Sequence, residues 1–574
     1  MRQFGKELAE THRLSSTASK DQLLKRLAEN ETILRDVRKV LTDSLKKKHQ
    51  ISPAGEWLID NFYLIEENIR SAKSNFPKKY SEELPQLSNV SPKGVTRVYD
   101  IIQQVICHGD GRVDIETLSN FVNAYQSVTN LKLGELWAIP IMLRLALIEN
   151  LGRISSHVAI DKVNSNLANH WARKMIKISE KDPKNLILII ADMARSNPPM
   201  VDAFVAELVR KLRGRGPDLA MPLNWIEQQL AESGLTSEEL VNAEVQKQAA
   251  HQVSMSNNIN SLRLLDAINW RDFVEKHSIV EKTLRQDING IYSTMDFATR
   301  DRYRHVVEDI SKKSKVEEQE VARIAIQLAH ENASDNVDDL RVSHVGYYLI
   351  GPGINQMEKV TKTPVSLFRK SRYFLNRNGI LFYLAFILLI TFAISAGILI
   401  EVNTDIKSIW LLIIISFLTL LSVSQLSVSV VNYISTLLAK PHLLPRLDFS
   451  RKIPEGSRTL VVIPSMLSNI KEIEKLTESL EIRFLANRNE NLHFALLTDY
   501  TDAEQETLPE DQELVESAIE KIKALNRKYH RENNDLFFLF HRPRLWNPRE
   551  NVWMGYERKR GKLAKLNALL RGSS

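Results

Sequence analysis

The sequence predicts a mixed architecture: a mainly helical front, two transmembrane helices, and then an incomplete α/β domain. Three observations predict it. Apolar residues recur at three- and four-residue steps through much of 1–358. Two long uncharged apolar runs follow, at 380–400 and from 409 onward. Beyond 458, short apolar runs alternate with amphipathic stretches. The expected divisions are 1–375, 376–440 and 441–574.

Bulk properties narrow the class. The 574 residues are 26% charged and 43% hydrophobic, which fits packed cores and excludes a disordered chain. The net charge of +7 suits a nucleic acid, an anionic membrane surface or a phosphate-bearing substrate without choosing among them. A single cysteine, Cys107, excludes a disulfide framework and a cysteine zinc site, and a packed or inert thiol is expected there. The opening MRQFGKELAETHRLSS has no apolar core of the signal-peptide kind, so the amino terminus is expected in the cytoplasm.

In the front region Leu23, Leu24, Leu27, Ile33, Leu34, Val37, Val40 and Leu41 mark a helix face. The same periodicity returns over 201–212, 235–245 and 316–330. The stretch 137–150 is apolar but holds Arg144 and Glu149, and is too short to span; it reads as a core helix. HGDGRVDIET at 108–117 resembles a calcium loop. With Gly111 in the glycine position, Ile106, His108 and Thr117 fall where acidic ligands belong, so a turn is expected instead. Two stretches are dense in distinctive residues, 295–305 (MDFATRDRYRH) and 344–350 (HVGYYLI). Spacing assigns them no chemistry beyond an Asp301–Arg304 pair at a helical i, i+3 step.

The run 380–400 carries no charge and just covers ~30 Å of hydrocarbon at about 1.5 Å per residue. The second run needs only 409–430 to span, and its remainder is expected near the interface. Basic residues flank the pair: Lys359, Lys362, Arg369, Lys370, Arg372 and Arg377 before it, Lys440, Arg446, Arg451 and Lys452 after it. The intervening loop holds Glu401 and Asp405 against Lys407. Both long flanks are therefore expected in the cytoplasm.

After the membrane, 459–464 reads as a buried strand ended by Pro464, and 470–480 as a helix. A second strand, 493–499, ends in the acidic cluster Asp499-Tyr500-Thr501-Asp502; a helix over 514–529 and a strand over 536–540 follow. Such alternation implies a parallel sheet, whose ligands sit at the carboxyl ends of strands, where Pro464, Asp499 and Asp502 fall. Five of the eight residues from Arg558 to Lys565 are basic. A basic, glycine-bearing loop opening a helix can hold a diphosphate; a solvated basic face is the alternative.

The chain also resembles the cyclic β-1,2-glucan synthases. The resemblance is carried by PHLLPRLDF at 441–449, FLANR at 484–488, the strand and turn of 492–503, FLFHR at 538–542, Trp546-Asn547, the 553–567 block and the two dense stretches before the membrane. It covers nearly the whole chain and is weakest over the first fifty or so residues, as chain termini often are. It implies a GT-A-like, inverting, processive transferase domain. It implies synthesis of cyclic β-1,2-glucan from UDP-glucose at the bacterial inner membrane, with Mg²⁺ or Mn²⁺ in the complete enzyme. It also implies a glucan attached to the protein and a distant phosphorylase-like portion that trims chain length. By the same resemblance Asp499 and Asp502 would contact uracil and ribose, and Lys562 and Asn567 the diphosphate. If the glucan starts on a protein hydroxyl, Tyr500, Tyr529 and Tyr556 lie in the right domain, and Tyr529, at the end of an amphipathic helix and so open to exposure, is the candidate; a surface or core tyrosine is the alternative for each.

The departures matter as much. The family's Asp-x-Asp, base carboxylate and Gln-x-x-Arg-Trp motif are missing, as are its later spans and phosphorylase-like portion. An inverting transfer needs a base and a metal. The chain alone is therefore expected to be an inactive, multi-pass, membrane-bound part of a glucosyltransferase. Its expected partners are UDP-glucose, membrane lipids and the missing carboxy-terminal portions, and no nucleic acid. The alternatives are a membrane-anchored helical scaffold and a fragment of another cellulose-synthase-like transferase. The second is not expected to carry the 295–305 block or the long helical front.

Overall fold

The computed structural model describes residues 2–15, 22–47, 49–76, 80–90, 94–335, 341–364, 378–403, 408–438, 443–529 and 535–572. The chain forms two compact units, 1–293 with 301–438 and 294–300 with 439–574.

The first unit is helical. Its helices include α1 (Leu23–Lys46), α2 (Arg97–His108), α3 (Leu133–Lys181), α4 (Leu186–Arg195), α5 (Asp202–Leu212), α6 (Ser237–Ala267), most of α7 (Phe297–Ser314, of which 297–300 belong to the second unit) and α8 (Glu318–Asp335). Helix α3 has 49 residues, roughly 74 Å at 1.5 Å per residue. It runs through two cores. Its first half packs Leu136, Leu143, Leu147 and Leu151 against Leu27, Leu34 and Leu41 of α1, Ile102 of α2 and Ile259 of α6. Its second half packs Ala168, Ala172 and Met175 against Phe204 and Leu208 of α5. The expected core helix at 137–150 is thus a segment of α3, and the turn expected over 108–117 is found at 109–111, between helices that end at His108 and begin at Ile115. Cys107 is exposed, not packed away.

Two carboxylates cap the start of α3, where backbone N–H groups lack helical partners. Glu135 accepts from the Lys132 amide at 2.9 Å, and Glu318 of α8 accepts from the Leu133 amide at 2.8 Å. Glu135 is fully buried and is held by Arg97, whose Nε donates to it at 2.8 Å. The expected Asp301–Arg304 pair forms at 3.0 Å within a larger buried network. Arg304 also donates to Glu281 at 2.6 Å and Glu275 at 2.9 Å.

The apolar runs form α9 (Gly379–Asn403) and α10 (Ile409–Leu438), of 25 and 30 residues. The second helix continues unbroken through the part expected at the interface. The two pack as a hairpin, with Tyr383 Oη donating to Asn432 Oδ1 at 2.7 Å, near the start of α9 and the end of α10. Thr391, Ser395 and Ser427 are buried, small enough to let helices approach closely. The rest of both helices stays exposed, with Ile380 at 78% and Trp410 at 75%. A water-soluble core would cover such side chains; lipid can accept them. Of the residues that set the expected orientation, Arg369, Lys370, Arg372, Arg377, Asp405, Lys407 and Lys440 lie outside the described residues, as do Pro441 and His442.

The second unit contains the α/β fold. Strands β1 (Thr459–Leu467), β2 (Leu492–Tyr500) and β3 (Phe537–Arg542) make a parallel sheet in the order β1-β2-β3. Helix α11 (Ile470–Ala486) connects the first two strands and α12 (Asp511–Lys528) the next pair. Leu480, Phe484, Phe494, Leu496, Ile522 and Phe537 form the core between sheet and helices. An antiparallel hairpin, β4 (Leu545–Asn547) and β5 (Val552–Met554), precedes α13 (Arg558–Leu570).

Two expectations are corrected. Pro464 does not end β1 but lies inside it, paired with Leu497. An edge strand tolerates a proline because the missing N–H can fall on the unpaired side. The basic stretch from Arg558 to Lys565 is not a loop but the opening turns of α13. The dense stretch before the membrane contributes to this unit as well. Met295 bridges Leu447, the Asp296 amide donates to the Arg446 carbonyl at 2.9 Å, and Asp448 donates to Thr294 at 2.8 Å.

Candidate nucleotide-sugar site

The site forms at the carboxyl edge of the parallel sheet. Strand register places Asp499 of β2 opposite Arg542 of β3. The Arg542 Nε donates to Asp499 Oδ1 at 2.5 Å and its Nη2 to Oδ2 at 3.2 Å. Lys562, from the second turn of α13, lies 3.0 Å from Asp499 Oδ2, and its ammonium also donates to the Ser465 carbonyl of β1 at 2.6 Å. One carboxylate from β2 therefore gathers cations from β3 and α13, and the lysine reaches back to β1. All three side chains are buried. Buried ions persist only when paired, and two cations on one anion leave the cluster electropositive.

Two glycines permit this approach. A Cβ on Gly555 would stand 2.5 Å from Asp499 Oδ2. A Cβ on Gly561 would stand 2.2 Å from the Tyr556 carbonyl and 3.0 Å from Arg542 Nη1. That Nη1 is buried and has no hydrogen-bond partner among the described residues, although Nη2 also donates to the Arg558 carbonyl at 2.9 Å. An unpartnered buried guanidinium donor marks a place where an acceptor would be stabilised.

The start of α13 has the same bias. Arg558, Lys559 and Arg560 occupy its first turn, which holds no acidic residue of its own, although Arg558 pairs with Asp502 at 2.9 Å and Arg560 lies 3.7 Å from Glu557; Glu557 at the cap has a left-handed backbone and makes no side-chain capping bond. Cations at a helix amino terminus oppose the macrodipole, and an anion there would relieve both.

Asp502 is more accessible. It accepts from Arg558 Nη2 at 2.9 Å, and the turn that carries it is pinned where Ala503 and Trp553 exchange backbone hydrogen bonds. Beneath it Arg544 forms a buried pair with Asp511, at 2.5 and 3.0 Å, and donates to the Thr501 carbonyl at 2.6 Å. Burial raises the Asp511 pKa, but Arg544 and the Leu508 amide outweigh it and hold the carboxyl below its ordinary range. Burial lowers the His541 pKa; its Nδ1 meets Thr498 Oγ1 at 2.9 Å, and its buried Nε2 has no partner among the described residues.

Of the residues singled out from sequence, Asp499 and Lys562 meet directly, and Asp502 joins them through Arg558, whose carbonyl Arg542 holds. Asn567 does not join. Five residues beyond Lys562 it has turned about 140° around the helix, and it is exposed while Leu566 faces inward. Tyr529 is elsewhere and is not the free hydroxyl its helix-end position suggested. Its Oη donates to Glu481 at 2.5 Å and its ring packs 4.9 Å from Phe484. Sequence reasoning missed Arg542 as a site residue. Its position two residues beyond the apolar part of a strand was visible, but its partner depends on register.

No family model matches the chain. Over 555 residues, 95% of its length, the chain is 33% identical to the curated cyclic β-(1,2)-glucan synthase NdvB of Rhizobium meliloti (strain 1021). It spans 19% of that relative's length. The resemblance read from the motifs is thus borne out by homology along nearly the entire chain.

Proposed function

We propose that this homologue of a cyclic glucan synthase carries the membrane anchor and part of the nucleotide-sugar pocket of an inverting glucosyltransferase. That enzyme would make cyclic β-1,2-glucan from UDP-glucose at the bacterial inner membrane, with the regions on either side of the hairpin in the cytoplasm. The observation that carries the reading is the convergence of Asp499, Arg542 and Lys562 at the carboxyl edge of a parallel sheet, where such folds bind ligands. The diphosphate would lie against Lys562, the unpartnered Arg542 Nη1 and the opening of α13. Asp502, the accessible carboxylate, suits a ribose hydroxyl. Asp499 already accepts from two cations, so a uracil contact there would require an exchange of partners.

The residues described do not fit a divalent cation. Among them no group of three His, Cys, Asp or Glu side chains could hold one. No step is therefore routed through Mg²⁺ or Mn²⁺. With no Asp-x-Asp or acceptor motif in the 574 residues, the chain is expected to bind the nucleotide without transferring the sugar.

Calorimetric titration of the purified chain with UDP-glucose tests the pocket. Arg542→Gln and Lys562→Gln are each expected to weaken binding about tenfold, as the loss of one charge-assisted contact does. Absence of binding, or unchanged binding in both variants, would overturn the reading. Glucan made from UDP-glucose by the chain alone would overturn the expected inactivity.

A further inference from the structure

A second basic site lies in the helical unit, remote in sequence from the α/β domain. An open groove of about 400 Å³ is lined by Arg173 and Lys177 of α3, Lys211 of α5, Arg215 of the following turn, His49 and a single carboxylate, Glu180. Arg173 and Lys177 stand one helical turn apart and therefore share a face. Lys211 and Arg215 come from the end of α5 and the Arg213-Gly214-Arg215-Gly216 turn. Two stretches of the chain, 173–177 and 211–215, thus bring like charges together. Among the described residues Arg173, Lys177 and Arg215 make no ion pair with a carboxylate, and Lys211 has only Glu207, at 3.9 Å. Burial and then the nearby Lys162 and Arg173 charges lower the His49 pKa. Assembling unpaired cations costs free energy that helix stability alone would not select; an anion offsets it.

We infer that this groove docks the phosphate-bearing headgroups of anionic lipids, holding the helical unit to the bilayer surface. The same chemistry would accept free phosphate or diphosphate. Lipid is favoured because two exposed apolar helices keep this chain at a bilayer, where headgroups are concentrated, and because the groove is open and not enclosed.

The test uses the full chain in lipid nanodiscs. Cys107→Ser removes the native thiol, and Asn169→Cys on that background places a fluorophore at the groove. Quenching by headgroup-spin-labelled lipid is then measured as the anionic fraction rises from zero. Quenching is expected to grow with anionic lipid and to weaken with salt. Each of Arg173→Gln, Lys177→Gln and Arg215→Gln is expected to lower the ratio of docked to undocked protein about fivefold, while Arg173→Lys retains docking. These side chains lie on the surface, and circular dichroism checks that helicity is unchanged. Quenching independent of anionic lipid would overturn the inference. So would a fluorescence response to inorganic pyrophosphate, or to an RNA oligonucleotide, in purely zwitterionic discs without quenching in anionic ones.

Discussion

Individual residues carry most of this protein's electrostatic choices. Glu318 is one. Burial raises its pKa to about 7, against the opposing pull of the Leu133 amide that it caps, and Glu308 adds to the rise. The folded chain thus disfavours the carboxylate. The penalty is absent below pH 4.5, grows with pH, and is complete above about 7. Glu318→Gln keeps an acceptor for Leu133 without the charge. It is expected to stabilise the helical unit by up to about 3 kcal/mol at pH 8 and to change little at pH 4.5. Denaturant melts at the two pH values decide this, and equal destabilisation at both would count against it. Gly555 is another such position. In Gly555→Ala the added methyl meets Asp499 Oδ2, and about 1–3 kcal/mol of stability should be lost, together with the UDP-glucose binding proposed for this site. A variant with wild-type melting and binding would show that the contact relaxes freely.

At the scale of elements, register and helix phase do what composition cannot. Sliding β3 by one residue against β2 would turn Arg542 to the other face of the sheet and leave Asp499 buried without it. The packing of α11 and α12 on the sheet fixes that register. Leu480, fully buried between Phe484 and the strands, is part of the packing. Leu480→Ala is expected to cost about 2–5 kcal/mol in the α/β unit. The loss should appear as a lower melting midpoint for Trp546 and Trp553 fluorescence, with the helical unit's transition unmoved. A single transition shifting for both units would show that they unfold together. The basic residues of α13 illustrate helix phase. Lys562 and Leu566 share the inward face, whereas Asn567, adjacent in sequence, is turned to solvent.

At the scale of the whole molecule, membrane placement is the decisive property. Cys107 is the only cysteine and is exposed, so it reports the side on which the helical unit lies. A membrane-impermeant maleimide is expected to label it in inverted inner-membrane vesicles and not in intact spheroplasts. The reverse pattern would place this unit outside. The sequence by itself determined the helical front, the two apolar spans and the alternation of strand and helix. Each is a periodicity or a run length that any window of the chain displays. It also pointed to Asp499 and Lys562, because one ends a strand and the other belongs to a basic block. Only the tertiary structure joined them, added Arg542, turned Asn567 away and engaged the Tyr529 hydroxyl. Those outcomes depend on strand register, helix phase and packing between segments up to a hundred residues apart. Local patterns do not encode such distances, because side chains meet only after the sheet and its helices have closed on one core.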